Sequence, residues 1–135
     1  MTLRIVRLGT PRLQDEGTRI GTVRRPPRGV PKSEFASRDF YDVWFPNLSP
    51  SPELVKRALA SQHDLSAAGE KEWATFTRGY RKEMAIPENA HAIALLAAMS
   101  RDANFSVGCY CENEARCHRS ILRVLLRDAG AWLAE

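Results

Sequence analysis

The chain opens with short aliphatic runs. "LRIVRL" (3–8) and "TRIGTVR" (18–24) are rich in β-branched and aliphatic residues, with a polar connection around Pro11 and Gly17 between them, and both predict strands. Gly21 weakens the second pattern, because it adds no side chain to a sheet. Six of the eight prolines then fall between Pro26 and Pro52. That density forbids a long helix, while Phe35, Phe40, Tyr41, Trp44 and Phe45 argue against simple disorder. An ordered, irregular excursion packed by its aromatics is predicted, and a loop this long in a small domain points to function.

Helical patterns follow. Ser51 as N-cap, Pro52 at the first helical position and Glu53 in the first turn predict a helix over 52–62. Trp73, Phe76, Tyr80 and Met84 recur at spacings of three and four, which puts them on one face of a second helix as a core-facing stripe. "PENAHAIALLAAMSRDA" (87–103) predicts a third, closely packed helix starting at Pro87. In "FSVGCYC" (105–111) a strand would send Phe105, Val107, Cys109 and Cys111 to one face. Ile121, Leu122, Leu125, Leu126 and Ala129 restore helical spacing until Gly130 stops it.

Strands, helices, a late strand and a closing helix predict an α/β fold. We expect one compact, three-layer-like domain over residues 1–135, with a short, mainly parallel sheet flanked by helices. A length of 135 residues with 44% apolar composition suits one domain and is too small for two ordinary ones. No run of 18 apolar residues occurs, and Arg4, Arg7 and Arg12 interrupt the start, so neither a membrane span nor a signal peptide is expected. Three cysteines cannot all pair, so free thiols in a reducing cytoplasm fit better than a secreted disulfide scaffold. The net charge of +4 is a mild excess, below the density of a dedicated nucleic-acid binder.

The densest chemistry lies in "CYCENEARCHRS" (109–120). A strand end followed by a helix N-terminus is where ligands meet an open α/β sheet, and the helix end favours anions and thiolates. Three readings compete for it. In the catalytic one, Cys111 or Cys117 is a nucleophile, His118 a proton carrier and Arg119 a clamp on an anionic substrate. Neither Cys111 nor Cys109 heads a phosphatase loop, since six residues beyond them stand Cys117 and Ala115 where that chemistry needs arginine. In the metal reading, Cys109, Cys111, Cys117 and His118 supply four zinc donors. Against it, adjacent helical residues diverge by about 100° at ~3.6 residues per turn, which would keep Cys117 and His118 from one ion. The third reading has Cys109 and Cys117 as small buried apolar groups. No cofactor or metal is called for. Glu112 and Glu114 read as solvated loop carboxylates, and His63 and His91 as ordinary surface or packing histidines.

Arg19, Arg24, Arg25, Arg28 and Lys32 cluster where the second strand meets the proline turn. Guanidinium groups suit phosphate or carboxylate. Should that strand lie beside the one ending at Cys111, Arg24 and Arg28 would face the Cys-His-Arg loop and build one anion pocket with Arg19 and Ser120. A small anionic, phosphorylated or nucleotide-like ligand is then the expected partner. The rival is a noncatalytic module binding nucleic acid or an acidic partner.

"GTRIGTVRRPPRG" is similar to the G-x-R-x-x-x-x-R-x-x-P-R-G signature of YeaO-like proteins, domain of unknown function 488. Trp44, Pro50, Ser51 and Leu54 resemble the Trp, Pro-Ser and Leu of that family, and "EWATFTRGYRKEM" its aromatic helix. Cys111, Glu112, Cys117, His118, Arg119 and Ser120 resemble the Cys-Glu and Cys-His-Arg-Ser ending of the wider family. Val23 and Pro26 stand where Asp and Trp are usual. The resemblance implies the fold and a pocket and carries no particular reaction.

Overall fold

A computed structural model describes residues 1–134. The strands are β1 (Leu3–Arg7), β2 (Thr18–Gly21), β3 (Val43–Trp44) and β4 (Phe105–Cys109), and the helices α1 (Pro52–Ser61), α2 (Ala67–Met84), α3 (Pro87–Met99) and α4 (His118–Asp128). The four strands form one all-parallel sheet in the order β1-β4-β2-β3. The last strand in the sequence thus lies at the centre, between the two predicted from the N-terminal pattern. Its five residues are all buried, as expected of a strand covered on both faces.

In-register partners share a face. Leu3 pairs with Phe105, and Ile5 and Ile20 both pair with Val107. These residues meet Ala58 of α1, Phe76, Tyr80 and Met84 of α2, Ile93 and Leu96 of α3, and Ile121, Leu122 and Leu126 of α4 in one core. The stripe predicted on α2 packs here, with Phe76 and Tyr80 fully buried and Trp73 at its border. The outer edge of β1 is covered by the C-terminal segment: Leu3 donates to the Trp132 carbonyl and accepts from Ala134. Gly130, at φ +95°, makes the turn that frees this segment from α4.

The opposite face carries Arg19 of β2 and Ser106 of β4, side by side in register. Loops cover it. Arg19 is 1% exposed and Glu16 2% exposed; Arg19 Nε and Nη2 donate to Glu16 at 2.7 and 2.9 Å, and Nη1 to the carbonyls of Thr10 and Asp39 at 2.8 Å each. Ser106 Oγ donates to the same carboxylate at 2.7 Å. The aromatic excursion is ordered, with two 3-10 turns (Lys32–Glu34 and Pro46–Leu48) and β3, and Phe35 packs on Tyr41 with ring centres 5.3 Å apart.

Tyr80 crosses the core to donate from its hydroxyl to the Leu48 carbonyl at 2.7 Å, tying α2 to the end of the excursion. Tyr80→Phe leaves that carbonyl buried without its donor. The expected loss is about 1–2 kcal/mol in urea denaturation, and an unchanged midpoint would show that the bond holds nothing.

Candidate active site

β4 delivers Cys109 at its last position, on the central strand and at the carboxyl end of the sheet. The chain turns through Tyr110 to Glu112, makes one 3-10 turn (Glu114–Arg116) started by Asn113, and enters α4 with Cys117 as N-cap. Three arginines pin this loop. Arg116 donates to the Ser61 carbonyl and to Glu70, both at 3.0 Å. Arg123 makes a two-pronged pair with Glu114 at 2.8 and 2.9 Å. Arg119, 3% exposed, donates through Nη2 to the Cys111 carbonyl.

The loop gathers all three sulfurs. Cys109 and Cys117 are buried and Cys111 is half-buried. Cys109 Sγ and Cys111 Sγ are 3.7 Å apart, Gln62 Nε2 donates to Cys111 Sγ at 3.3 Å, and Cys117 Sγ lies 3.7 Å from His118 Nδ1. His118 is buried against the Tyr80 ring, with its Nε2 2.9 Å from the Thr22 carbonyl. A carbonyl only accepts, so Nε2 carries the proton and Nδ1 presents its lone pair to the sulfurs. Cys109 Sγ, Cys117 Sγ and a His118 ring nitrogen all lie within 4.8 Å of one another. The expected divergence of Cys117 and His118 does not occur. Cys117 is extended (φ −121°, ψ 152°) and stands outside the helix, so the helical angle between neighbours does not apply to it.

The three thiols shift one another's acidity in opposite directions. Hydrogen bonds from Cys109, then Cys117, then Gln62 hold the Cys111 thiol well below the usual thiol range against the opposing effect of burial. Donation to Cys111 and Cys117, with burial, pushes Cys109 up. The bond from Cys109 lowers Cys117, but its own donation to Cys111 and its burial outweigh that and push it up to about 11. Burial lowers His118 to about 4, so the ring is neutral at pH 7.

Of the residues singled out in the sequence, the fold brings together Cys111, Cys117, His118 and Arg119, with Cys109 beside them. It does not bring the others. Every side-chain donor group of Arg19 ends on a protein acceptor, which makes it a structural residue of the opposite face. Arg24 turns to the carbonyls of Pro50 and Ser49 and lines a cavity of about 390 Å³ that contains none of the cysteines. Arg28 is exposed, and Ser120 Oγ donates to the Cys117 carbonyl at 2.9 Å within the first turn of α4. β2 does lie beside β4, but Thr22, and not Arg24, meets the cluster. Glu112 is exposed as expected, as are His63 and His91, whereas Glu114 is paired with Arg123. Thr22 and Gln62 were invisible to sequence reasoning, since a threonine past a strand and a glutamine ending a helix carry no signal.

Among the described residues, no helix is long and apolar enough to cross a membrane. Comparison with curated proteins and with solved structures gives no match. A family model does match, DUF488-N3a, described as the active DUF488-N3 subclade, over residues 3–130. The match takes in all four strands, all four helices and the whole sulfur cluster, and the chain belongs to the DUF488 family.

Proposed function

We propose that this protein is a thiol-dependent enzyme acting by transfer or hydrolysis on a small anionic molecule of phosphorylated or nucleotide-like type, with Cys111 as the nucleophile. The observation that carries the reading is the asymmetry of the cluster. Two sulfurs are buried, and the third is half-buried at the carboxyl end of the central strand, where ligands meet open α/β sheets. Cys111 Sγ attacks the electrophilic carbon or phosphorus, the leaving group departs with the bonding pair, and water or an acceptor releases the product. His118 faces Cys117, so its part is to order the buried sulfurs and not to take a proton from Cys111 directly. Arg119 is a positioning residue for the Cys111 backbone. Its Nε is buried without a partner, a donor left over for an anion. The description of the matching subclade as active agrees with a chemical role.

The test is iodoacetamide labelling of chelator-treated protein, mapped by peptide mass. Cys111 is expected to react at least ~10-fold faster than Cys109 and Cys117, and inorganic phosphate to slow it. Equal labelling of all three thiols, or none at Cys111, would remove the nucleophile.

A further inference from the structure

We propose that Cys109, Cys117 and His118, completed by Cys111, form a tetrahedral site for a zinc-class metal ion. The assignment stands on donor geometry, and its link to catalysis rests on the Cys111 reading above. Zinc–sulfur bonds of ~2.3 Å and zinc–nitrogen bonds of ~2.0 Å at tetrahedral angles set donor-to-donor edges of roughly 3.5–3.8 Å. Two edges already have that length: Cys109 Sγ to Cys111 Sγ and Cys117 Sγ to His118 Nδ1, each 3.7 Å. The three buried donors lie within 4.8 Å of one another, and Cys111, which touches the set through Cys109, completes the tetrahedron by turning inward.

The surroundings are those of a ligand set. A metal-binding imidazole is oriented by a hydrogen bond from its other nitrogen. His118 has that bond, from Nε2 to the Thr22 carbonyl at 2.9 Å, and Thr22 is itself fixed by its amide and hydroxyl, both donating to the Gly108 carbonyl at 3.0 Å. The chemistry of the donors selects the ion, since thiolates with imidazole and no carboxylate favour zinc over magnesium or calcium. Binding displaces whatever protons the thiols still carry and leaves a centre of three thiolates, a neutral imidazole and one net negative charge. Arg119 is nearly fully buried beside it and has no carboxylate within ion-pair distance among the described residues, so its cation is placed to balance that charge. Coordination also keeps a thiolate nucleophilic at neutral pH, and Cys111 is the ligand that substrate can reach.

The experiment is metal analysis of the full chain purified without chelator, followed by reconstitution with zinc and with cobalt(II). About one zinc per chain is expected, and with cobalt a thiolate charge-transfer band together with the intense visible bands of a tetrahedral ion. Cys117→Ser and His118→Ala abolish both signals, with folding checked by circular dichroism. Cys111→Ser keeps the metal at lower affinity and weakens the charge-transfer band, which holds even if the buried variants fail to fold. Less than about 0.1 metal per chain after reconstitution, or an octahedral cobalt spectrum without the sulfur band, overturns the site. If metal is absent while Cys111 still labels selectively, this proposal falls and the nucleophile stands. If metal is bound and Cys111 stays inert after its removal, the nucleophile falls and the site stands.

Discussion

Glu16→Gln lowers the unfolding free energy by about 3–5 kcal/mol, the usual cost of breaking a buried ion pair from one side. The carboxylate accepts from Arg19 twice, from Ser106 Oγ and from the Leu13 amide, and it is the only acidic group within ion-pair distance of Arg19 among the described residues. The amide keeps the shape and removes the charge, leaving a buried guanidinium with neutral acceptors alone: the Thr10 and Asp39 carbonyls and one amide oxygen. Removing both charges relieves that defect, so Glu16→Gln combined with Arg19→Met is more stable than Glu16→Gln alone. Urea denaturation of the wild type and the two variants decides the matter. A loss below about 1 kcal/mol in the single variant would mean that water reaches Arg19 and that the pair is not buried in solution.

The same pair sets an acid limb. Burial raises the Glu16 pKa, but hydrogen bonds from Arg19, Ser106 and Leu13 and the charge of Arg19 outweigh it and hold the carboxyl below the usual carboxylate range. A group with a depressed folded pKa contributes stability that is complete above its unfolded value, ~4.3, and is lost as pH falls through the folded value. Wild-type protein therefore loses stability below about pH 4, and Glu16→Gln, already without that contribution, shows a shallower fall over the same range.

Helices were easy to read in the sequence because their signals are local. Ser51, Pro52 and Glu53 start α1 where expected, and the spacing of Trp73, Phe76, Tyr80 and Met84 places α2 on the core. The sheet was harder. β3 is two residues inside a proline-rich stretch, and the insertion of β4 between β1 and β2 is a long-range choice that no window of sequence contains. Only the Cys-His-Arg part of the candidate site was legible in its membership, and its geometry was not. Cys111, Cys117, His118 and Arg119 do converge, but Cys117 was read as helical when it is the extended cap, and that one residue decides whether sulfur and imidazole meet. Arg19 misled for a different reason. Its place beside Arg24, Arg25 and Arg28 suggests an anion clamp, and only Glu16 with the carbonyls of Thr10 and Asp39, brought over it by the fold, makes it a buried structural residue.

Gly108→Ala carries the other large effect, because it strikes the sheet and the cluster together. The expected loss is about 3 kcal/mol or more, read as a melting temperature lower by roughly 10 °C. A Cβ at this central position would stand 2.7 Å from the Val6 carbonyl oxygen, 2.7 Å from Leu8 Cδ2 and 2.9 Å from Val6 Cγ2. The leucine tip can swing aside. The carbonyl belongs to the adjoining strand and moves only if β1 and β4 separate, next to the residue that carries the first sulfur. Gly108 also receives the two bonds that fix Thr22, whose carbonyl orients His118, so a displaced strand turns the imidazole as well. Gly108→Ala combined with Leu8→Ala, measured against Leu8→Ala alone, separates the carbonyl from the leucine: the alanine at 108 keeps more than half of its cost if the carbonyl is the obstacle, and no remaining cost would assign the effect to side-chain crowding alone. In the single variant that remains folded, iodoacetamide reaches Cys109 alongside Cys111, since the strand that buries Cys109 no longer seats against its neighbour.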